Sequence, residues 1–398
     1  MAGSLEKRGE NSWRMVYFKG RDQDGNRIRY TDNFKGNKSQ AEKALAKFVT
    51  EIENGTFADS KNMTIAKFSE EWVETHVNKL APKTQKEYIR MLDTHILPKL
   101  GNIKLADLRP THLMKFYKYL DQDGIRLDKK PGKLSERSQR YYHAVLSSML
   151  EDAMKWQYIV SNPATRVEAP KVHKKQTISY DEIQSAALLE ALLVEPIKYR
   201  CLVTLALFTG LRRGELLGLE WKVIDMDKGQ LAVVKQSQYT PETGIVDRTT
   251  KTESSKRLIS IPPSIVALLK EYKAAQNEER LKVGDLWQKS DRLFTTWDGK
   301  PMHPDTVSSW FNDFLNRHNE KMLIEEKIPL PHIRFHDLRH TSASLMISQG
   351  VSLKNVSSRL GHSSITITAD IYTTALQSAD KEASNKLEDL FSIKKEQA

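Results

Sequence analysis

Three short stretches late in the chain carry groups that can act on a phosphate: His336-Asp-Leu-Arg339-His340, Leu360-Gly361-His362 and Ile371-Tyr372. Imidazole and guanidinium can cradle a phosphate, and a phenol can attack one. No cluster of carboxylates comes with them, so the chemistry reads as metal-free phosphoryl transfer through a covalent intermediate, not metal-assisted hydrolysis. A fourth stretch lies upstream, Thr209-Gly210-Leu-Arg212-Arg-Gly-Glu215-Leu-Leu217. A glycine turn opening a helix puts Arg212 near the helix N-terminus, where amide dipoles and guanidinium can act on one anion. Glu215, three residues on, shares a helical face with Arg212 and can orient it. Each residue also has an ordinary reading. Arg212 could merely pair with Glu215, His336 and His340 could be capping or core histidines, and Tyr372 is one of 13 tyrosines.

The elements that must position these groups follow from pattern. Residues 1–58 read as a small three-stranded β-sheet followed by a helix. Trp13–Phe18 is strand-like, Asp24-Gly25-Asn26 signals a turn, and Arg27–Thr31 alternates. Ser39–Glu53 then has helical spacing. A sheet presenting Arg14, Lys19, Arg27 and Arg29 fits a DNA groove, or is a structural sheet with ordinary polar faces. Residues 62–165 show four helical stripes, built on Phe68 and Trp72, on Tyr88 and Met91, on Leu113 and Phe116, and on Leu146 and Met149. Their aromatics fall on the apolar faces and are expected in the core. Lys83, Lys86, Arg90, Arg137 and Arg140 suit phosphate contacts that fix register without reading sequence.

A basic connector, Pro170–Lys175, is either a strap around a duplex or a solvated linker. Ser179-Tyr-Asp-Glu182 reads as a capping box opening a third domain, residues 176–398, of mixed α and β elements. Strands are expected at Gln230–Lys235, Ile245–Val246 and Lys256–Ile261, with a hairpin tip exposing Lys251 between the last two. Leu376, Ala379, Ala383, Leu387 and Leu390 mark an amphipathic tail helix, docked on its own domain or on a neighbouring subunit. The architecture expected is therefore multidomain and mainly α.

Composition narrows the function classes. The chain has 398 residues, 28% charged and 39% hydrophobic, with a net charge of +11. Residues 1–60 hold 11 Lys/Arg against 9 Asp/Glu, residues 61–175 hold 22 against 13, and residues 176–398 hold 29 against 29. A surplus concentrated in one block points to a polyanion-binding module beside a neutral domain, or to a lysine-rich solvated surface. Cys201 is the only cysteine, which excludes an internal disulfide and any multi-cysteine zinc site. The apolar run Cys201–Phe208 is too short for a membrane span, and Met1–Arg8 lacks the apolar core of a signal peptide. A cytoplasmic protein is expected.

These motifs, in this order, resemble the tyrosine recombinases. Thr209–Leu216 is similar to the family's first arginine motif, His336–His340 to the second, Leu360–His362 to the final histidine, and Asp370-Ile371-Tyr372 to the nucleophile. Lys251-Thr-Glu-Ser-Ser-Lys-Arg257 is similar to its hairpin lysine motif. The likeness covers residues 62–398, as a SAM-like helical core-binding domain and a catalytic domain. Residues 1–58 look like the arm-site-binding domain of phage and conjugative-transposon integrases. It implies a homotetramer on double-stranded DNA at core and arm sites, with an excisionase or host DNA-bending protein as a further partner. No cofactor, metal or membrane is implied.

For such a reaction, Arg212 and Arg339 are expected to grip the non-bridging oxygens in bidentate fashion. Tyr372 attacks, His336 serves as its base, His362 donates a hydrogen bond to the phosphate, and Lys251 protonates the leaving 5′ oxygen. The resemblance implies a 3′-phosphotyrosine that conserves the bond's energy for rejoining, without ATP. Competing readings are a type IB topoisomerase, against which the extra N-terminal domain argues, and a DNA-binding regulator with an inactive site. A metal-dependent nuclease is a third, and the sequence offers no carboxylate set for it.

Overall fold

The computed structural model describes residues 3–21, 24–53, 63–128, 130–173, 178–249, 257–361, 364–365 and 388. The chain divides into two compact units, residues 1–174 and 175–398.

The first unit begins with an antiparallel sheet in the order β1 (Ser4–Gly9), β2 (Ser12–Arg21), β3 (Arg27–Lys35), followed by helix α1 (Lys38–Glu53). Gly25, at φ +86°, lies between β2 and β3 where Asp24-Gly25-Asn26 signals a turn. Side chains alternate across a strand, so Met15 and Tyr17 pack on Phe48 and Ile52 of α1. Arg14 faces the other way, opposite Glu6 and Asn33, and Arg29 lies there too, opposite Phe18. Lys19 has the parity of Met15 and falls on the helix side. Its Nζ donates to the carbonyls of Ile52 and Glu53, both at 2.9 Å, and so satisfies the C-terminal end of α1. That corrects its expected place beside Arg14.

The helical module of the same unit comprises α2 (Ile65–Thr75), α3 (Pro82–Met91), α4 (Leu97–Leu100), α5 (Pro110–Leu120) and α6 (Glu136–Lys155). One π-turn, Leu92–Ile96, joins α3 to α4, so the second expected helix is present but interrupted. Thr64 and Ser135 cap α2 and α6 through their hydroxyls. Phe68, Trp72, Leu113, Phe116, Leu146 and Met149 share one core, as the aromatic stripes predict. The buried indole of Trp72 donates to Asp152 at 2.8 Å, which meets its polar requirement.

The second unit is built on α8 (Ile197–Thr209), which follows α7 (Glu182–Ala191). Residues Cys201 to Leu207 are all buried, and a helix apolar on every side must lie at the centre. Helices α10 (Pro263–Val283) and α12 (Asp337–Ser348) pack on it, while α13 (Leu353–Leu360) packs on α12. Between α9 (Arg213–Leu217) and α10 come five strands, β4 (Ile224–Asp225), β5 (Gln230–Val233), β6 (Lys235–Thr240), β7 (Gly244–Thr249) and β8 (Arg257–Ser260). The long helix α11 (Pro304–Ile324) completes the described elements.

Two expectations are corrected here. The cap of α7 is Asp181, whose carboxylate accepts from Gln184 N at 2.8 Å while Gln184 Oε1 accepts from Asp181 N. The box starts two residues beyond Ser179: the Ser179 hydroxyl accepts from Ser344 Oγ at 3.3 Å and Tyr180 N donates to Thr341 Oγ1 at 3.1 Å, both on α12. The strands flanking Lys251 do not form a hairpin with each other: β7 pairs with β6, and β8 pairs with β5 in a separate sheet β4-β5-β8. The β6–β7 ribbon is instead fastened at its base by Arg292, which donates to Leu217 O at 2.8 Å and pairs with Asp247 at 2.5 Å. Among the described residues no helix is long and apolar enough to cross a membrane.

Candidate active site

Helix α8 ends because Gly210 takes φ +64°, the left-handed conformation that closes a helix C-terminus. No larger residue fits: a β-carbon there would lie 2.3 Å from Leu360 Cδ2. Two residues on, Arg212 is the N-cap of α9, and its backbone N–H donates to Glu215 Oε2 at 3.0 Å. Its Nη1 donates to Glu215 Oε1 at 2.8 Å and its Nη2 to the carbonyl of Gly361 at 3.0 Å. Glu215 is buried. Burial would raise its pKa, but Arg257 first and Arg212 after it outweigh that and hold it below the usual carboxylate value.

Arg339 lies on α12, 3% exposed, and donates Nη1 to the carbonyl of Gly210 at 2.8 Å. The two arginines are thus brought to one turn from positions 127 residues apart in number, Arg212 and Arg339. His336 stands at the N-cap position of α12, without a side-chain capping bond, and is exposed. Desolvation against the packed protein, then the charge of Arg339, keep its pKa below the ordinary imidazole value, and Arg212 adds to this. His340, one helical turn on, sits edge to face with it, ring centroids 5.5 Å apart. Burial, followed by His336, lowers the His340 pKa to about 4. Asp337 fixes the approach to the helix by accepting from Arg334 N at 2.8 Å and from its guanidinium. His336 also rims a cleft of about 380 Å³ with Arg213, Ser308, Asn312, His332 and Arg334.

Residues 179–378 match the model of the phage integrase family, and residues 64–120 match that of the phage integrase N-terminal SAM-like domain. A tyrosine recombinase XerC-like protein of Caldanaerobacter subterraneus subsp. tengcongensis is 30% identical over 406 residues, covering 97% of this chain and 98% of the relative. The chain belongs to the phage integrase family. It is a tyrosine-type site-specific recombinase that serves the integration of a mobile element. The ICEBs1 integrase of Bacillus subtilis is 28% identical over 65% of this chain and 67% of its own length. Among solved structures, the Tn1549 transposon integrase in complex with a circular intermediate DNA superposes with a TM-score of 0.66 at 18% identity, covering 81% of this chain and 100% of that one. The lambda integrase tetramer bound to a Holliday junction gives 0.54 at 18% identity, covering 92% and 94%.

Within the recombinase, the residues expected at the site divide in two. Arg212, Glu215, His336 and Arg339 are gathered as described. Lys251, His362 and Tyr372 lie outside the described residues, as does the stripe from Leu376 to Leu390. Of the expected phosphate contacts, Lys83, Lys86 and Arg90 on α3 and Arg137 and Arg140 on α6 are exposed. Arg90 is held by Glu87, to which Nε donates at 3.1 Å. Arg27 and Arg29 are exposed on the sheet, Arg29 paired with Glu6 at 3.0 Å, and Arg14 is half-buried. Sequence reasoning gave no task to Arg257 or to the Arg334–Asp337 pair. Arg257 stands within the lysine motif, but no local spacing shows that it meets Glu215, 42 residues earlier.

Proposed function

We propose that Tyr372 attacks a DNA phosphodiester and becomes joined to the 3′ phosphate, while Arg212 and Arg339 hold its non-bridging oxygens. The observation that carries this is the turn at Gly210, whose carbonyl accepts from Arg339 Nη1 and which leads two residues on into Arg212, the N-cap of α9. Two preorganised forks supply the charge stabilisation that the transition state needs. A neutral imidazole can accept a proton, and the lowered pKa of His336 keeps it neutral near pH 7, which suits the base for the phenol. His362 donates to the same phosphate and Lys251 delivers a proton to the departing 5′ oxygen. The stored ester then lets a second 5′ hydroxyl displace the tyrosine.

The partner is double-stranded DNA, read at core sites by residues 62–165 and at arm sites by residues 1–58, with residues 176–398 as the catalytic domain. The lambda integrase tetramer on a Holliday junction supports a tetramer here as well. Exposed Lys83, Lys86, Arg137 and Arg140, with Arg27 and Arg29, fit phosphate contacts; Lys19 is left out because it caps α1. An excisionase or a host DNA-bending protein fits a partner that sets direction, and the work takes place in the cytoplasm at the nucleoid.

A duplex nicked near the cleavage position tests the reading. In EDTA the wild-type protein should accumulate a covalent adduct and Tyr372→Phe should yield none; an adduct in the variant would dismiss Tyr372 as nucleophile. A regulator with an inactive site predicts no adduct from either protein.

A further inference from the structure

Arg257 opens β8 six positions after Lys251, and its side chain is 8% exposed. Its guanidinium bridges two groups, the Glu215 carboxylate and the Arg359 carbonyl. Nη2 donates to Glu215 Oε2 at 2.9 Å, Nη1 to Glu215 Oε1 at 3.3 Å, and Nε to the carbonyl of Arg359 at 2.7 Å. Gly361 lies against the same group: a β-carbon there would come within 2.8 Å of Arg257 Nη1 and 3.1 Å of its Cζ. Arg212 meets the same turn through Gly361 O. The C-terminal carbonyls of α13, which a helix leaves without intrahelical partners, are therefore held by arginines from two other elements.

Glu215 is thus shared. A buried carboxylate with one guanidinium for company would draw both arms of that fork to itself. With Arg257 occupying part of its acceptor capacity, Glu215 binds Arg212 through Nη1 and the backbone amide, and Nη2 goes to Gly361. A guanidinium carries five N–H donors, so Arg212 keeps others for a phosphate.

We propose that Arg257 is a positioning residue for strand cleavage. By holding Glu215 and the Arg359–Gly361 turn together, it sets the orientation of the Arg212 fork. It also joins the strand that follows Lys251 to the turn that precedes His362. This rests on Arg212 gripping the reacting phosphate, as read above. Lysine cannot replace it, since one ammonium cannot span a carboxylate and a carbonyl in fixed fork geometry.

The test compares the full-length wild type with Arg257→Ala, Arg257→Lys and Arg212→Ala on two nicked duplexes. One carries the ordinary phosphodiester and the other an uncharged methylphosphonate at the cleavage position, which removes the charge that Arg212 stabilises. On the phosphodiester, both Arg257 variants should form adduct slower by about tenfold or more, with duplex affinity unchanged. On the methylphosphonate their deficit should shrink, in parallel with that of Arg212→Ala. A merely structural role would give the same deficit on both substrates, together with a lower melting temperature, and would overturn the proposal. So would wild-type rates in Arg257→Lys, which retains the charge and carries the test if the alanine variant does not fold. No adduct from the wild type on the phosphodiester would instead refute the Tyr372 reading itself.

Discussion

Arg212 and Arg339, proposed to share a task, do not share an environment. The Arg339 guanidinium is buried and bonded to Gly210 O, whereas the Arg212 side chain is 38% exposed and leans on Glu215. Lysine at either position keeps a charge and loses the two-point grip, so Arg212→Lys and Arg339→Lys should each slow adduct formation by about 10²–10³ in single-turnover assays. Retained wild-type rates would contradict the assignment. Arg339→Lys should also melt at a lower temperature, because its partner carbonyl is buried. The histidines give a pH signature. His340 titrates near 4 in the fold against an ordinary 6.5, so the unfolded chain takes up a proton first. Its contribution to stability is present above the unfolded value and is lost as pH falls from about 6.5 towards 4. Thermal melts across that window should fall with acid, and His340→Gln should flatten the slope. His336 shifts the same way, so the acid limb of cleavage belongs below the usual imidazole value.

Single elements show where pattern reading succeeds. The stripes of the helical module were legible because burial of one face imposes a 3.6-residue period, and Gly210, legible as a turn opening α9, also ends α8 in the left-handed conformation. Strand β1, Ser-Leu-Glu-Lys-Arg-Gly, leaves little such mark, since backbone pairing with β2 holds it and its side chains are mostly polar. The π-turn at Leu92–Ile96 is silent for another reason: its buried Leu92 and Ile96 stand four apart, the same spacing that an ordinary α-helix would use. Lys19 was readable but misplaced, because period two separates it from Arg14. Lys19→Met should therefore destabilise the sheet–helix unit by about 0.5–1 kcal/mol in denaturant melts and leave the salt dependence of DNA binding alone. Arg27→Ala should do the reverse, making the logarithmic salt slope shallower by about one. If Lys19→Met changed that slope, it would be a phosphate contact after all.

For the whole molecule, charge is unevenly distributed: most of the Lys/Arg surplus lies in residues 61–175, and residues 176–398 are balanced at 29 and 29. The stripe from Leu376 to Leu390 is read as an assembly element. Deleting residues 375–398 should leave binding by one copy intact and remove cooperative complexes on native gels; an unchanged ladder would count against that role. Sequence by itself determined the motif order, the mainly helical architecture and the reaction class. Each of these depends on local spacing or on residue chemistry, and both are written along the chain. Tertiary structure decided which groups share a neighbour. Packing of α12 on α8 delivers Arg339 to Gly210, pairing of β8 with β5 places Arg257 against Glu215, and the end of α13 brings Gly361 to Arg212 and Arg257. Such contacts join residues far apart in number, and only the shape of a filled core selects them among the many partners that residue type would allow.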